Sequence, residues 1–486
     1  MRFIKNSLHN KALLKFIMTL VLFLGLLSFG RIEELSLPAY RTLCCSIFMV
    51  LLWIFECFPL AVTSLLPIFL FPLLEISSAA DTTKPYAHPV IFLFLGGFFL
   101  AISIKNSGLD KRIASLIIRK TKGNPKAIMA GFISAASFIS LWINNTATVM
   151  ILLPMALSLL TQEDGTPHHD LEENISLQNF GKSILLALSY GSSIGGMGTI
   201  IGCAPNAFLT GFMSQTYNFH IDFTKWMIFA IPIVFLGSLT AYFIIDRLFL
   251  RKVKSLPVSK DIIESSTQIK PLNFKEKYVL AVFFITVGLW LTQSILRSYI
   301  PLINNSSISI FGASLLFLTS VFNHKTHKVI SWKDTEKLPW RVLLLFGGGL
   351  TLASQIQKTG LATWIGEQFY VLKNYPLLLS ILIVIIAAMI MTEFTSNTAV
   401  AAALIPIVAS VSVTIGYSPL LLSIPLIFTA NSSFMLPIAT PPNAIVYGTG
   451  FLKLYDMAKA GFILKIFMTL FILAFTALFA QLIFGI

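Results

Sequence analysis

Long apolar runs recur from one end of this 486-residue chain to the other, and they decide the class of fold before any motif is considered. Leu13–Phe29, Thr42–Phe58, Trp226–Ile245 and Phe462–Ile486 each approach the ~20 residues that cross a bilayer. Hydrophobic residues make up 56% of the chain and charged residues only 12%, about half the charged share of a soluble domain. No soluble interior of this size could hide so much apolar surface. The chain reads as an all-α polytopic membrane protein. The first run is long and lacks a small-residue cleavage site, and no Arg- and Ser-rich segment precedes it, so neither a cleaved signal peptide nor a transit peptide is expected.

The net charge of +14 could suggest nucleic acid, but the basic residues are gathered in a few loops. Eight Lys or Arg lie in 247–277, seven in 105–126, five in 325–341 and four in the first fifteen residues. In a membrane protein this clustering follows the positive-inside rule and places all four segments in the cytoplasm. No nucleic-acid motif accompanies the charge, so no nucleic-acid partner is expected. The four cysteines, Cys44, Cys45, Cys57 and Cys203, sit in apolar segments without metal-ligand spacing, which implies neither a disulfide framework nor a zinc site.

The chain also repeats itself. Phe92–Leu109 (FLFLGGFFLAISIKNSGL) and Leu344–Leu361 (LLFGGGLTLASQIQKTGL) align at an offset of 252, which brings Phe94 onto Phe346 and Gly96-Gly97 onto Gly348-Gly349. The same register carries Asn145-Thr146-Ala147 onto Asn397-Thr398-Ala399 and Pro154 onto Pro406. The segment after the first glycine pair holds seven basic residues, whereas its counterpart, 357–378, holds only Lys358 and Lys373. One structural unit therefore ends inside in one half and outside in the other. That is the inverted repeat through which a carrier opens alternately to either side.

Between the cytoplasmic loops 105–126 and 247–277 lie apolar stretches at about 127–160, 182–210 and 225–246. The last two can each cross once, so the first must cross an even number of times. Its ~34 residues exceed one span and fall short of the ~40 needed for two, which predicts a re-entrant hairpin. The matching hairpin falls at about 376–413. The same count puts the acidic loop 161–181 inside, where acidic residues weigh little in the charge rule. The expected organisation is an N-terminal segment and first helix (1–37), repeat 1 (38–246), a cytoplasmic linker (247–277) and repeat 2 (278–486). It comprises about eleven transmembrane helices plus two re-entrant hairpins, with the N-terminus inside and the C-terminus outside.

Polar residues stand where the hairpins turn: Ser140-Leu-Trp-Ile-Asn144-Asn145-Thr146 and Thr392-Glu-Phe-Thr395-Ser396-Asn397-Thr398. Asn and Thr suit a lipid-facing helix poorly, because their polar groups need partners. At a helix break their oxygens and freed backbone carbonyls can coordinate a dehydrated cation, and half-helix N-termini can hold an anionic carboxylate. One such motif would read more readily as interhelical glue. Two at symmetry-related turns favour a binding site. A second pair of breaks follows, Gly195–Asn206 and Met435–Asn443, where Pro and Gly interrupt the helix. Paired discontinuous helices in corresponding positions point to a transporter site. The motif segments carry no Lys or Arg, so a dianion there needs bound cations, which favours cation coupling. Glu393 and Glu56, unusual carboxylates in apolar surroundings, read as hydrogen-bonded structural groups before proton sites.

These residues resemble the divalent anion:sodium symporter family of dicarboxylate and citrate carriers. The resemblance runs along nearly the whole chain. It is carried by Ser396-Asn397-Thr398, the near-match Asn144-Asn145-Thr146, ATPPNA at Ala439–Ala444, GCAPNA at Gly202–Ala207, and the two glycine segments. It implies one sodium site at Ser140, Asn144, Asn145 and Gly202, and a second at Thr392, Thr395, Asn397 and Ala439. It implies substrate contacts from Asn145, Thr146, Ser396, Asn397 and Thr398, with Cys203 and Thr440 lining the pocket. Asn144 stands where the family has Ser, and Cys203 where it has a hydroxyl residue, which bears on substrate preference and coupling. The resemblance implies sodium ions as the coupled species, a C4 or C5 dicarboxylate as substrate, elevator-type alternating access, a homodimer in lipid, and the bacterial inner membrane.

Obligatory dicarboxylate exchange without sodium fits the same motifs, and a sulfate or tricarboxylate carrier is the next alternative. An enzyme is not expected. The seven histidines lie at predicted ends and loops, no HExxH occurs, and the GxSxG string at Gly191–Gly195 falls inside an apolar helix, not at a strand-to-helix turn. Those small residues predict close helix packing instead. A channel fits less well than a carrier, since occluding hairpins in an inverted repeat belong to alternating access.

Overall fold

The computed structural model describes residues 2–29, 32–119, 124–160, 175–251, 253, 271–322 and 328–486, and among them the chain is helix and turn without a β-strand. The first half runs through α1 (Arg2–Phe29), α2 (Leu37–Phe55), α3 (Leu60–Thr63), α4 (Leu66–Leu73), α5 (Pro89–Ser107), α6 (Leu109–Arg119), α7 (Pro125–Ser140), α8 (Asn145–Ser158), α9 (Ile175–Gly196), α10 (Ala204–Tyr217) and α11 (Phe223–Ile245). The second runs through α12 (Phe274–Leu291), α13 (Asn305–Phe322), α14 (Trp340–Lys358), α15 (Leu361–Gln368), α16 (Leu377–Phe394), α17 (Asn397–Thr414), α18 (Pro419–Ala430), α19 (Pro441–Tyr447) and α20 (Leu454–Phe484). The acidic loop 161–181 and the basic linker 247–277 lie largely outside the described residues.

Local chemistry sets many of the helix starts. Proline occupies the first turn of α2, α5, α7, α10, α18 and α19, where its missing N–H leaves no bond unmade. Ser36, Asn124 and Ser418 cap α2, α7 and α18 through their side chains. Asn273 and Glu276 form a capping box on α12.

Among the described residues, six segments are long and apolar enough to cross a bilayer by length and composition, including Leu37–Phe55, Ala79–Ser107, Phe223–Leu250 and Leu454–Phe484. Shorter apolar helices accompany them, among them Pro125–Ser140, Asn145–Ser158 and Pro419–Ala430. Large apolar side chains such as Phe235, Phe243, Ile390, Leu478 and Leu482 are exposed on the outer helices, as a lipid-facing perimeter requires. The protein is a multi-pass membrane protein.

The stretches expected to be hairpins each divide into two helices. α7 and α8 have 16 and 14 residues, roughly 24 and 21 Å at 1.5 Å per residue, both short of a ~30 Å hydrocarbon core. α16 and α17 have 18 residues each and pass as spans by length. Re-entrance in the second half therefore does not follow from length.

The halves interlock. α5 packs on α12 and α13 of the second half, and α14 packs on α2, α3 and α4 of the first. α10 lies against α17 and α18, while α19 lies against α8 and α9. The repeat equivalents Phe94 and Phe346 meet edge to face, with ring centroids 5.1 Å apart. The GxSxG string lies within α9, where a Cβ at Gly195 would collide with the Ser137 carbonyl of α7. Its small residues bring α9 and α7 together, and Ser137 donates to the Gly191 carbonyl at 3.0 Å. Cys44 and Cys45 are buried packing residues.

Candidate functional site

At the first turn α7 stops at Ser140 and α8 begins at Asn145. Asn144 makes the break: it is extended, and its Oδ1 accepts the Ala147 N–H at 2.9 Å as an N-cap. Ser140 Oγ then reaches across the break to Asn145 Oδ1 at 2.8 Å. At the second turn Thr395 and Ser396 are extended and α17 begins at Asn397. Thr392 Oγ1 donates across that break to Asn397 Oδ1 at 2.9 Å. The repeat offset of 252 thus carries over to the hydrogen bonds themselves.

The second pair of breaks supplies the other wall. Between α9 and α10, Asn206 Nδ2 donates to the carbonyls of Gly196 (3.0 Å) and Thr199 (2.8 Å). Between α18 and α19, Asn443 Nδ2 donates to the carbonyls of Ser433 (3.2 Å) and Leu436 (3.0 Å). An offset of 237 relates all three positions of each set. Both amides are fully buried, and each is held from the opposite half: Asn431 Nδ2 donates to Asn206 Oδ1 at 2.8 Å, and Ser189 Oγ donates to Asn443 Oδ1.

Each wall meets its turn. Cys203 Sγ lies 3.4 Å from Asn145 Oδ1, and the bare face of Gly202 looks onto the carbonyls of Ser140 and Gly196. Ser433 Oγ donates to Asn397 Oδ1 at 2.9 Å. Ser140, Asn145, Gly202 and Cys203 therefore converge, and so do Thr392 and Asn397. Other expected residues are engaged locally. Thr395 Oγ1 donates to the Met391 carbonyl at 3.0 Å, and Thr440 Oγ1 caps α19 by accepting the Asn443 N–H at 3.3 Å. Ala439, the counterpart of Gly202, is buried between Leu436 and α19. The hydroxyls of Thr146, Ser396 and Thr398 are part-exposed and make no hydrogen bond among the described residues. They remain available to a ligand.

Comparison with known proteins gives this geometry its context. The family described as the sodium:sulfate symporter transmembrane region matches residues 10–486. The chain belongs to the sodium:sulfate symporter family. It is 36% identical over 455 residues to the sodium-dependent dicarboxylate transporter SdcS of Staphylococcus saprophyticus, covering 92% of this chain and 86% of that one. It is 37% identical over 452 residues to SdcS of Staphylococcus aureus strain USA300, covering 91% and 86%. Among solved structures, the YdaH transporter of Alcanivorax borkumensis shares the fold with a TM-score of 0.61 at 13% identity, over 93% of this chain and 99% of that one.

Several residues that organise the site of this symporter-family chain escape a reading of its motifs. Asn206 and Asn443 stand next to last in the GCAPNA and ATPPNA strings, and their shared place after proline was the available signal. Ser433 precedes its string and has glycine as its repeat equivalent, so nothing marked it. Glu393 is the structural group that was expected. Its carboxylate accepts the N–H groups of Phe434, Met435 and Leu436 at 3.1–3.4 Å. Its partner was not expected: Lys465 of α20 donates to Glu393 Oε1 at 2.7 Å and to the Met389 carbonyl at 2.8 Å, with both charged side chains buried. Glu56 departs from the expectation. It closes α2 in a left-handed conformation (φ 49°) and is exposed, because the helix ends there.

Proposed function

We propose that this protein is a carrier, not an enzyme, that moves a C4 or C5 dicarboxylate of the succinate, malate or fumarate type together with sodium by alternating access. The observation that carries this reading is the twofold set of a broken hairpin turn facing a broken helix. Each set presents a carboxamide oxygen, a hydroxyl and backbone carbonyls in buried surroundings, which is a donor set for a hard cation. The resemblance to two sodium-dependent dicarboxylate transporters at 36% and 37% identity favours a dicarboxylate over sulfate.

Residue roles follow from this reading. One sodium ion is held at Ser140, Asn144, Asn145 and Gly202, with Asn144 contributing backbone because its side chain caps α8. The other is held at Thr392, Thr395, Asn397 and Ala439. The unpaired hydroxyls of Thr146, Ser396 and Thr398 and the amides of Asn145 and Asn397 receive the two carboxylates at the N-termini of α8 and α17, where backbone N–H groups favour anions. Cys203 and Thr440 line the pocket. Lys465 brings a positive charge near the second turn, but Glu393 neutralises it. The fixed charge there is close to zero, so sodium must enter before a dianion is admitted. We further read the two halves as an inverted repeat with re-entrant hairpins, moving as an elevator within a homodimer.

The test is uptake of labelled succinate by purified protein in liposomes across a sodium gradient, with choline and potassium controls. Saturable, sodium-dependent uptake with sigmoidal sodium dependence is expected. Uptake indifferent to sodium but driven by internal dicarboxylate would select an exchanger, and transport of sulfate without any dicarboxylate would overturn the substrate assignment.

A further inference from the structure

The second turn gathers five oxygen atoms. Thr392 Oγ1 lies 2.9 Å from Asn397 Oδ1, 2.6 Å from the Ala430 carbonyl and 2.7 Å from Ser433 Oγ. Ser433 Oγ lies 2.9 Å from Asn397 Oδ1, 3.2 Å from the Thr392 carbonyl and 3.3 Å from the Ala430 carbonyl. These six contacts are served by two hydroxyl protons, since the amide oxygen and the carbonyls carry none. Thr392, Ala430 and Ser433 are buried, so oxygens left facing one another without a proton repel strongly. Two arrangements relieve that repulsion. A half-turn of the Asn397 amide would set its NH2 against both hydroxyls, which could then donate to the carbonyls and close the cluster on itself. With the amide oxygen facing in, a hard cation among the oxygens does the same work.

The first half cannot assemble this set. The offset of 237 that takes Asn206 to Asn443 takes Gly196 to Ser433, so no hydroxyl stands at the corresponding point. A Cβ at Gly196 would collide with Asn145 Oδ1 and Cys203 Sγ. The nearest substitute is the Cys203 thiol at 3.4 Å from Asn145 Oδ1, a soft group with little affinity for an alkali cation.

We propose that Ser433, which belongs to none of the sequence motifs, is a ligand of the second cation site. Through its hydroxyl the second site holds sodium more tightly than the first and fills before it. This inference rests on the sodium-coupled reading and adds a ligand and an order of filling to it.

The experiment titrates sodium against the thermal melting of the purified full chain without substrate, holding ionic strength with choline, and repeats the titration as succinate uptake in liposomes. Ser433→Ala and Ser433→Cys should each need about tenfold more sodium for half-maximal stabilisation and uptake, the usual loss when a ligand of a charged group is removed. Their melting in choline alone should match the parent protein. Ser432→Ala removes the adjacent buried hydroxyl, whose one bond among the described residues is to the Phe428 carbonyl at 2.8 Å, and should titrate like the parent. A parent protein that responds to sodium, joined by Ser433 variants with the same midpoint, would overturn the ligand assignment alone. So would equal destabilisation of those variants in choline and sodium with no change of midpoint. A parent protein that responds to sodium in neither assay would remove the sodium reading and this inference with it.

Discussion

At the first turn Asn145 Oδ1 meets one hydroxyl, from Ser140, and one thiol, from Cys203. At the second, Asn397 Oδ1 meets two hydroxyls, from Thr392 and Ser433. The loops behind them are also fastened differently. In the first half Thr199 Oγ1 donates to the Leu141 carbonyl and accepts the Gly202 N–H, a tie made of neutral hydrogen bonds. In the second half Glu393, which stands at the repeat position of Leu141, takes three loop N–H groups and is balanced by Lys465. Backbone geometry and the two clamping asparagines are what the halves share. The side chains that complete each site have diverged. The two halves therefore share the shape of the breaks while each keeps its own chemistry, and they should answer mutation unequally.

The largest effect is expected at the ion pair. Lys465→Met leaves the Glu393 carboxylate buried without its counter-charge and should lower stability by about 3–5 kcal/mol. Adding Glu393→Gln to Lys465→Met should recover much of that loss, because the uncompensated charge is gone. Thermal or chemical denaturation in detergent reads both variants. A single variant as stable as the parent would show that the second loop is held no more firmly than the first.

The asparagines come next. Asn145→Ala and Asn397→Ala each strip an oxygen from the cation set, and Asn145→Ala also takes the partner from the buried Ser140 hydroxyl, a loss of roughly 1–3 kcal/mol. Succinate uptake should collapse in both with protein levels retained, and the sodium requirement should rise further for Asn397→Ala, whose oxygen has two hydroxyl partners. Equal shifts would mean that the thiol of the first half serves as well as the hydroxyl of the second.

The smallest change sharpens the same comparison from the other side. Cys203→Ser puts a stronger hydrogen-bonding group beside Asn145 and should lower the sodium needed for half-maximal uptake a few-fold, in keeping with about 1 kcal/mol for one improved hydrogen bond. No change in the sodium titration would place Cys203 outside the cation set.

Much of this was readable from residues close together along the chain. Asn144 and Ser396 announce helix breaks, proline opens α10 and α19, and the register of 252 relates the two turns. Such signals act within a turn or two of helix, since capping and proline sterics depend on immediate neighbours. Composition and the apolar runs set the membrane class for the same reason: each span must satisfy its own backbone. The sequence by itself determined the class of fold, the two motif turns and the two breaks that face them.

Tertiary structure decided which break faces which turn, because that depends on surfaces interdigitating between segments hundreds of residues apart. Asn431 reaches Asn206 across 225 positions, and α19 of the second half packs on α8 and α9 of the first. Nothing beside Ser433 in the chain marks it, and only the fold brings it to Asn397. Lys465 is an isolated charge in the apolar stretch 460–484 of α20, and only the fold brings it to Glu393, 72 positions away. A buried charge or hydroxyl is defined by its partner, and partners so distant along the chain become neighbours only when the helices pack.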